Sequence, residues 1–397
     1  MRWNKNVAGW MLIFPVSVSA QTSSSPPSPG LVFESRLRYE TVEDKAFTKD
    51  ADALTARLRV GFRSPAWSGW SLYGDLEHTF HLGDEDFNST ANGKKTYPTV
   101  ADPDNSELNQ LYVNYALDKN NRLTVGRQRL IYDNQRFFGN VGWRQNEQTF
   151  DAVDAFHKFG NGWSVRYSYL DRVQRVFGGD NPDRNQARWN LNAHLLSANV
   201  PLGPGSLTGY VHFIDNETLP LTSHRNLGLR YTAKKDVPDG IGWQYALEYT
   251  NQQDYADGAS KIDADYLLAE GSLIWKKHTF KAGWEVLSGD GNYGFQAPFG
   301  TLHAFNGWAD KFLTTPVNGL HDVYVSWSHK FGDWTAQAAW HDYQSDYADL
   351  NYGQEWNTSL GWNFAKKWNT LAKVARYDAD DFAKDTNKFW LSVEYVY

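Results

Sequence analysis

The sequence predicts an all-β fold, a transmembrane antiparallel up-and-down β-barrel of eighteen strands with short turns at one end and long loops at the other. Three observations carry that expectation. From Leu31 to Tyr397 the chain repeats segments of about ten residues with period-2 alternation, the spacing of a strand with two unlike faces. The connections between these segments are alternately short and long. The composition combines 41% hydrophobic residues with 22 Phe, 22 Tyr and 18 Trp. Beyond the N-terminus nothing approaches the roughly 18 consecutive apolar residues of a membrane helix.

The N-terminus reads as an address. Arg2 and Lys5 precede the apolar stretch Val7 to Val18, and Val18-Ser19-Ala20 supplies the small residues of a signal-peptidase site. Residues 1–20 are therefore expected to be a signal peptide cleaved after Ala20. Gln21 follows instead of Cys, so no lipoprotein anchor is expected, and 21–30 is a Ser- and Pro-rich flexible lead-in. The barrel is expected over 31–397. A formal charge of -7, more acidic once Arg2 and Lys5 are removed, argues against nucleic acid as a partner. Without cysteine there is no disulfide framework, thiolate zinc site or cysteine nucleophile.

The expected strands, in order, are 31–40, 53–63, 70–80, 107–117, 122–131, 150–159, 162–171, 190–200 and 205–214. They continue with 225–233, 241–251, 263–275, 278–288, 320–330, 334–343, 353–364, 368–377 and 387–397. In the second, Leu54, Ala56, Leu58, Val60 and Phe62 share one face, and Thr55, Arg57, Arg59, Gly61 and Arg63 share the other. Trp243, Tyr245, Leu247 and Tyr249 alternate in the same way with Gln244, Ala246 and Glu248. Connections after even-numbered strands are mostly tight, such as Gly160-Asn161 and Lys276-Lys277; those after odd-numbered strands are long, as at 81–106, 132–149 and 289–319. A soluble sandwich gives no reason for that rule, whereas an outer-membrane barrel has tight periplasmic turns and long outer loops.

Closure follows from the solvent. Inside a bilayer every backbone N–H and C=O needs a protein partner, so a sheet spans only when it closes on itself. Apolar positions then face lipid, polar positions face water, and aromatics form girdles at the two interfaces. The last strand alternates Phe389, Leu391, Val393, Tyr395 and Tyr397, resembling the C-terminal signal by which outer-membrane barrels are recognised for insertion. The expected setting is the outer membrane of a Gram-negative bacterium. The expected partners are membrane lipid, lipopolysaccharide and, through the strand ending at Tyr397, the barrel-assembly machinery. No flat polar outer face is evident, which favours a monomer.

Eighteen strands leave room for a water-filled lumen. Its inward positions are rich in cations: Arg36 and Arg38 on the first strand, Arg57, Arg59 and Arg63 on the second, then Arg166, Arg230 and Lys281. Adjacent strands lie about 4.8 Å apart, so the first five arginines are expected to form one patch. Guanidinium groups bind carboxylates in bidentate fashion, and rings of them select anions. Glu34, Glu40, Asp75, Glu77, Glu248 and Glu285 also face inward, so ion-paired ladders that brace the wall are the alternative. On the fifth strand Leu123 and Val125 point to lipid, which by strict alternation sends Arg127 and Arg129 there too. A bulge near Gly126 is expected to turn both inward; otherwise the strand has already passed the hydrophobic band.

Val125-Gly126-Arg127-Gln128-Arg129, then Arg136-Phe137-Phe138-Gly139, Trp143-Arg144-Gln145 and Thr149-Phe150-Asp151, resemble the alginate-export family of outer-membrane porins. A second block, Leu287 to Gly291, Thr301 to Phe312, Pro316 and Asn318 to Leu320, is similar to the signature loop of that family's short members. The resemblance covers 31–397 and implies an eighteen-stranded barrel whose arginine-rich constriction passes an anionic uronate polymer. Arg127, Arg129, Arg136, Arg144 and Lys311 sit in the matching motifs.

The 289–319 connection is too long and too aromatic for a surface hairpin, because Phe295, Phe299, Phe305, Trp308 and Phe312 need something to pack against. A constriction or gate is expected, with a folded outer cap as the alternative. Catalysis is not expected. His78 and His81 near Asp84 to Asp86 allow a protease site on paper. The pairs His321-Asp322 and His341-Asp342 are adjacent in sequence, so their side chains point to opposite faces of a strand. No nucleotide loop or EF-hand loop is present, and neither metal nor cofactor is expected; Asp290 to Asn292 and Asp378 to Asp381 read as solvated acidic turns. The expected function is passive conduction of an anionic saccharide, with a general or anion-preferring porin for small solutes such as organic acids as the alternative.

Overall fold

The computed structural model describes residues 29–397, so the expected signal peptide and residues 21–28 of the lead-in lie outside the described residues. Within them the chain forms β1 (Gly30–Asp44), β2 (Ala51–Arg63), β3 (Trp70–His81), β4 (Asn105–Ala116), β5 (Asn121–Gln128) and β6 (Thr149–Lys158). There follow β7 (Ser164–Gln174), β8 (Arg188–Leu202), β9 (Gly205–Asn216), β10 (His224–Lys235), β11 (Ile241–Asp254) and β12 (Asp263–Trp275). The last six are β13 (His278–Leu287), β14 (Leu320–Phe331), β15 (Trp334–Gln344), β16 (Asn351–Ala365), β17 (Trp368–Ala379) and β18 (Thr386–Val396). Each strand pairs antiparallel with its neighbours in sequence, and β1 pairs with both β2 and β18, so the sheet closes. No helix among the described residues is long and apolar enough to cross a membrane.

Alternation sorts the wall into two faces. On β2, Leu58, Val60 and Phe62 are 40–53% exposed while Arg57 and Arg59 are 2% exposed. That inversion, charge inside and aliphatic groups outside, suits a wall with hydrocarbon around it. The tight connections gather at one end of the barrel, for instance 203–204, 276–277, 332–333 and 366–367. Aromatic residues ring that end: Trp334 stacks on Trp362 at 4.9 Å, and Trp368 lies 4.8 Å from Tyr395. The other end carries the loops, of which 82–104, 129–148 and 288–319 are the longest.

The core of this molecule lies inside the barrel. The third loop (129–148) and the seventh (288–319) fold into the lumen and bring Phe137, Phe138, Phe295, Phe299 and Phe312 to 8% exposure or less. A smaller cluster of Val42, Ala51, Ala53, Phe87 and Val100 sits beneath the second loop (82–104).

If Leu58, near the middle of β2 and facing outward, meets hydrocarbon, Leu58→Arg should lower barrel stability by about 2–4 kcal/mol. Urea titration of the refolded barrel in lipid vesicles measures this. An unchanged midpoint would mean that the face is not lipid-covered.

Candidate functional site

Two inward loops grip each other by backbone. Gly139 N donates to Phe299 O (2.9 Å), Thr301 N donates to Gln135 O (2.9 Å), and Phe138 stacks on Phe299 with ring centroids 5.4 Å apart. The approach is too close for a side chain at Gly300, where a Cβ would lie 2.2 Å from Arg136 O. The seventh loop is then anchored to the wall. Glu355 on β16 accepts the backbone N–H groups of Trp308 and of Ala309 (2.9 Å). Asn306 donates to Asp322 on β14 (3.0 Å) and to Glu285 on β13 (2.5 Å). The connection expected to be a constriction or a cap therefore lies inside the lumen.

Charges bind the third loop to the wall as a chain of alternating sign. Glu394 on β18 meets Arg36 (3.0 Å) and Arg57 (3.0 Å); Glu34 meets Arg57 (3.5 Å) and Arg59 (2.6 Å). Arg59 also reaches Glu77 and, at 3.0 Å, Glu147 of the third loop, which pairs in turn with Arg129 (2.6 Å). Burial penalises the Glu147 carboxylate, but Arg129 and Arg59 outweigh it and hold its carboxyl well below the usual range. Arg36 further donates to the carbonyls of Gly142, Trp143 and Arg144.

Asp310 in the seventh loop forms a second hub. It accepts Arg144 (3.3 Å) from the third loop, Lys388 (2.8 Å) from β18 and His303 Nδ1 (2.6 Å). Arg144 also meets Glu40 (3.2 Å). His303 Nε2 lies 2.7 Å from Lys373 Nζ on β17. An ammonium has only protons to offer, so Nε2 must accept and Nδ1 must donate to Asp310, which fixes a neutral imidazole. Burial agrees, pushing His303 down to about 3 against the attraction of Asp310.

The alginate export family model matches residues 32–383 of this sequence. The chain belongs to the alginate export family. No curated protein matches the sequence. Among solved structures, OccAB4 of Acinetobacter baumannii superposes with a TM-score of 0.75 at 13% identity, covering 94% of this chain and 100% of that one. OpdO of Pseudomonas aeruginosa gives 0.69 at 17% identity, over 93% and 97% of the two chains. OpdK of the same organism, determined with vanillate, gives 0.68 at 14% identity over 92% and 98%. These likenesses bear on the fold. The alginate export chain is an outer-membrane β-barrel channel, not an enzyme, so its turns face the periplasm and its long loops the exterior.

The cations singled out in this alginate export family chain fall into distinct places. Arg36, Arg38, Arg57 and Arg59 share one side of the lumen, as the alternation on β1 and β2 requires. Arg136 meets Glu285 (3.0 Å) and donates to Asn306 (3.0 Å), joining the two inward loops. Arg166 pairs with Asp154 (2.7 Å) beneath the Tyr132 ring, Arg230 with Glu248, and Lys281 with Glu270 (2.8 Å). Lys311 sits higher, at the outer mouth, against Asp44 (2.7 Å).

Arg127 departs from expectation. Gly126 does adopt a left-handed φ of +125°, yet alternation continues through it, and Arg127 keeps the outward face beside exposed Leu111. It pairs there with Asp151 (2.7 Å) and donates to Leu108 O (3.0 Å). Its charge is neutralised near the outer end of the strand, where no midplane penalty applies. Arg129 turns inward because it lies beyond the end of β5.

Several site residues escaped the sequence reading: Lys373, Lys388, Asp310 and Glu355 from loop and late strands, and the link of Asp322 to His341 (2.9 Å) across β14 and β15. Same-face alternation on those two strands carries the last of these; the loop contacts have no periodic signal. His81 bonds Glu85 (2.9 Å) and His78 bonds Ser106 (2.8 Å), so the two do not converge on one acid.

Glu355→Ala should free the seventh-loop tip and raise single-channel conductance, with more frequent transitions between levels. Equal conductance in planar-bilayer recordings would show that the tip does not limit the pore. Acid should act in the same direction. His303 stays neutral in the folded protein down to about 3, so the unfolded or released loop binds more protons below the ordinary histidine range of about 6.5. Glu147, held low, contributes stability above the ordinary glutamate value of about 4.5 and loses it as pH falls further. Gating noise is expected to be flat between pH 7 and 8 and to rise steadily from pH 6.5 to 4.

Proposed function

We propose that this channel passes an anionic saccharide, an alginate-like uronate polymer or oligomer, by passive transport through the lumen narrowed by the third and seventh loops. The observation that carries this reading is the crowding of Arg36, Arg38, Arg57 and Arg59 from the wall, with Arg144 from the third loop, on one side of that passage. Guanidinium groups presented along a wall suit a solute that offers a carboxylate on each sugar unit. The alginate export family match favours the same class. Lipopolysaccharide around the barrel and the assembly machinery acting on the last strand are the accompanying partners in this reading.

A second reading is a porin for small organic acids. It is favoured by the ion pairing of the arginine patch and by the acids Glu270, Glu285, Asp322 and Glu355 gathered on β12 to β16, which leave the lumen mixed in charge instead of uniformly basic. A related fold determined with vanillate points the same way.

The reversal potential of the refolded barrel in a planar bilayer under a salt gradient tests the proposal. Anion preference is expected, with uronate oligomers blocking the current. Arg57→Ala and Arg59→Ala should each move the reversal potential toward cations, because Glu34 and Glu77 then stand in excess. A cation-selective wild type would overturn the polyanion reading.

A further inference from the structure

Beneath the two inward loops lies a cavity of about 110 Å³, walled by β15, β16, β17, β18 and β1 and bounded above by Trp143 and Trp308. Asn363, Asn369 and Glu394 in its lining lie close to the periplasmic ends of their strands, so it belongs to the periplasmic half of the lumen. Two cations there are set up differently from the rest. Lys373 has no carboxylate within ion-pairing distance among the described residues; its ammonium is held over the indoles of Trp308 (3.8 Å) and Trp143 (4.2 Å) and bonds His303. Arg38 is 2% exposed, lies over the Trp143 ring at 4.0 Å, and among the described residues forms its one ion pair with Asp102 at a long 3.9 Å, with Glu40 also near enough to act on its charge. Its Nε and Nη1 donate no hydrogen bond.

A buried guanidinium with idle N–H groups is costly and uncommon unless a partner is brought to it. The one carboxylate in the cavity lining, Glu394, is already engaged by Arg36 and Arg57. The lining therefore carries three cations, Arg36, Arg38 and Lys373, against one committed acid. Gln337, Ser359, Asn369, Thr370 and Ser392 complete it with neutral amides and hydroxyls.

We propose that this cavity is a periplasm-side binding station for one sugar-acid unit, its carboxylate received by Lys373 and Arg38, its ring against the indoles and its hydroxyls on the neutral polar wall. Indoles offer the flat apolar face that the C–H side of a pyranose covers, while the amides and hydroxyls replace its water. The inference rests on the channel reading and deepens it by naming where a passing uronate dwells.

The test is equilibrium binding to the full-length refolded barrel in detergent, read by tryptophan fluorescence with glucuronate, glucose and benzoate as probes. Glucuronate should bind and perturb the emission. Lys373→Met and Arg38→Gln should each weaken it by at least about tenfold, the loss expected for a charge-assisted hydrogen bond, with Lys373→Arg restoring most of it. Lys366→Met, on the periplasmic turn, should leave binding unchanged. Heat-modifiable gel migration shows that each variant is a closed barrel, and the charge-removing Lys373→Gln serves where Lys373→Met does not fold. Glucose binding as tightly as glucuronate would remove the carboxylate from the proposal, and benzoate binding in its place would replace the sugar acid by an aromatic acid; either result overturns it. Binding untouched by both Lys373→Met and Arg38→Gln overturns the site while leaving anion conduction intact. A cation-selective pore that still binds glucuronate through Lys373 would sink the transport reading alone.

Discussion

Everything in this molecule depends on β1 closing against β18. A backbone surrounded by hydrocarbon has no water to satisfy it, so an open sheet of these strands would leave two unpaired edges in lipid. The seam runs from Glu34 opposite Val396 to Asp44 opposite Thr386, and Tyr397 N finishes it with a hydrogen bond to Phe33 O (2.8 Å). Closure fixes register around the whole ring. A slip of one residue on β2 would carry Arg57 and Arg59 to the lipid face and Leu58 and Val60 into the lumen.

The interior is the harder physical problem. Many charges are removed from bulk water there, and removing one partner of a buried pair costs about 3–5 kcal/mol, so the arrangement has to be complete. The chain of Glu394, Arg57, Glu34, Arg59, Glu147 and Arg129 answers that by alternating sign from wall to loop. Asp310 does the same between the third loop, the seventh loop and β18. These pairs position the loops that narrow the lumen; aromatic contacts such as Phe138 on Phe299 exclude water between them. Loop anchoring and the selectivity proposed above thus draw on the same residues.

Strands were legible in the sequence because one strand has one period. The expected 263–275 coincides with β12, and the inner placement of Arg57 and Arg59 follows from the aliphatic residues between them. Loop contacts were not legible, since Glu355 and the Trp308 backbone are brought together from 47 positions apart with nothing periodic in between. Arg127 was misjudged for a local reason. A positive φ at Gly126 marks irregular backbone, but it changes the face of the following residue only when an extra residue enters the ladder, and β5 keeps one-to-one register with β4 and β6. The aromatics of the seventh loop announced their need for cover; their partners, such as Trp189 on β8, Tyr266 on β12, Tyr343 on β15 and Tyr377 on β17, did not.

The order of the chain gives the inward loops a history. The seventh loop ends at residue 319, and three of the groups that seat it or its neighbours, Glu355, Lys373 and Lys388, belong to the last three strands. The third loop in turn takes backbone bonds from Thr301 and Phe299. Neither loop has its full set of anchors until the C-terminal strands have joined the ring. Bringing β18 to β1 across nearly the whole chain is itself the contact with the greatest loop-closure entropy. A half-built barrel therefore lacks the anchors of its constriction, and the narrowing of the lumen coincides with the closure of the ring.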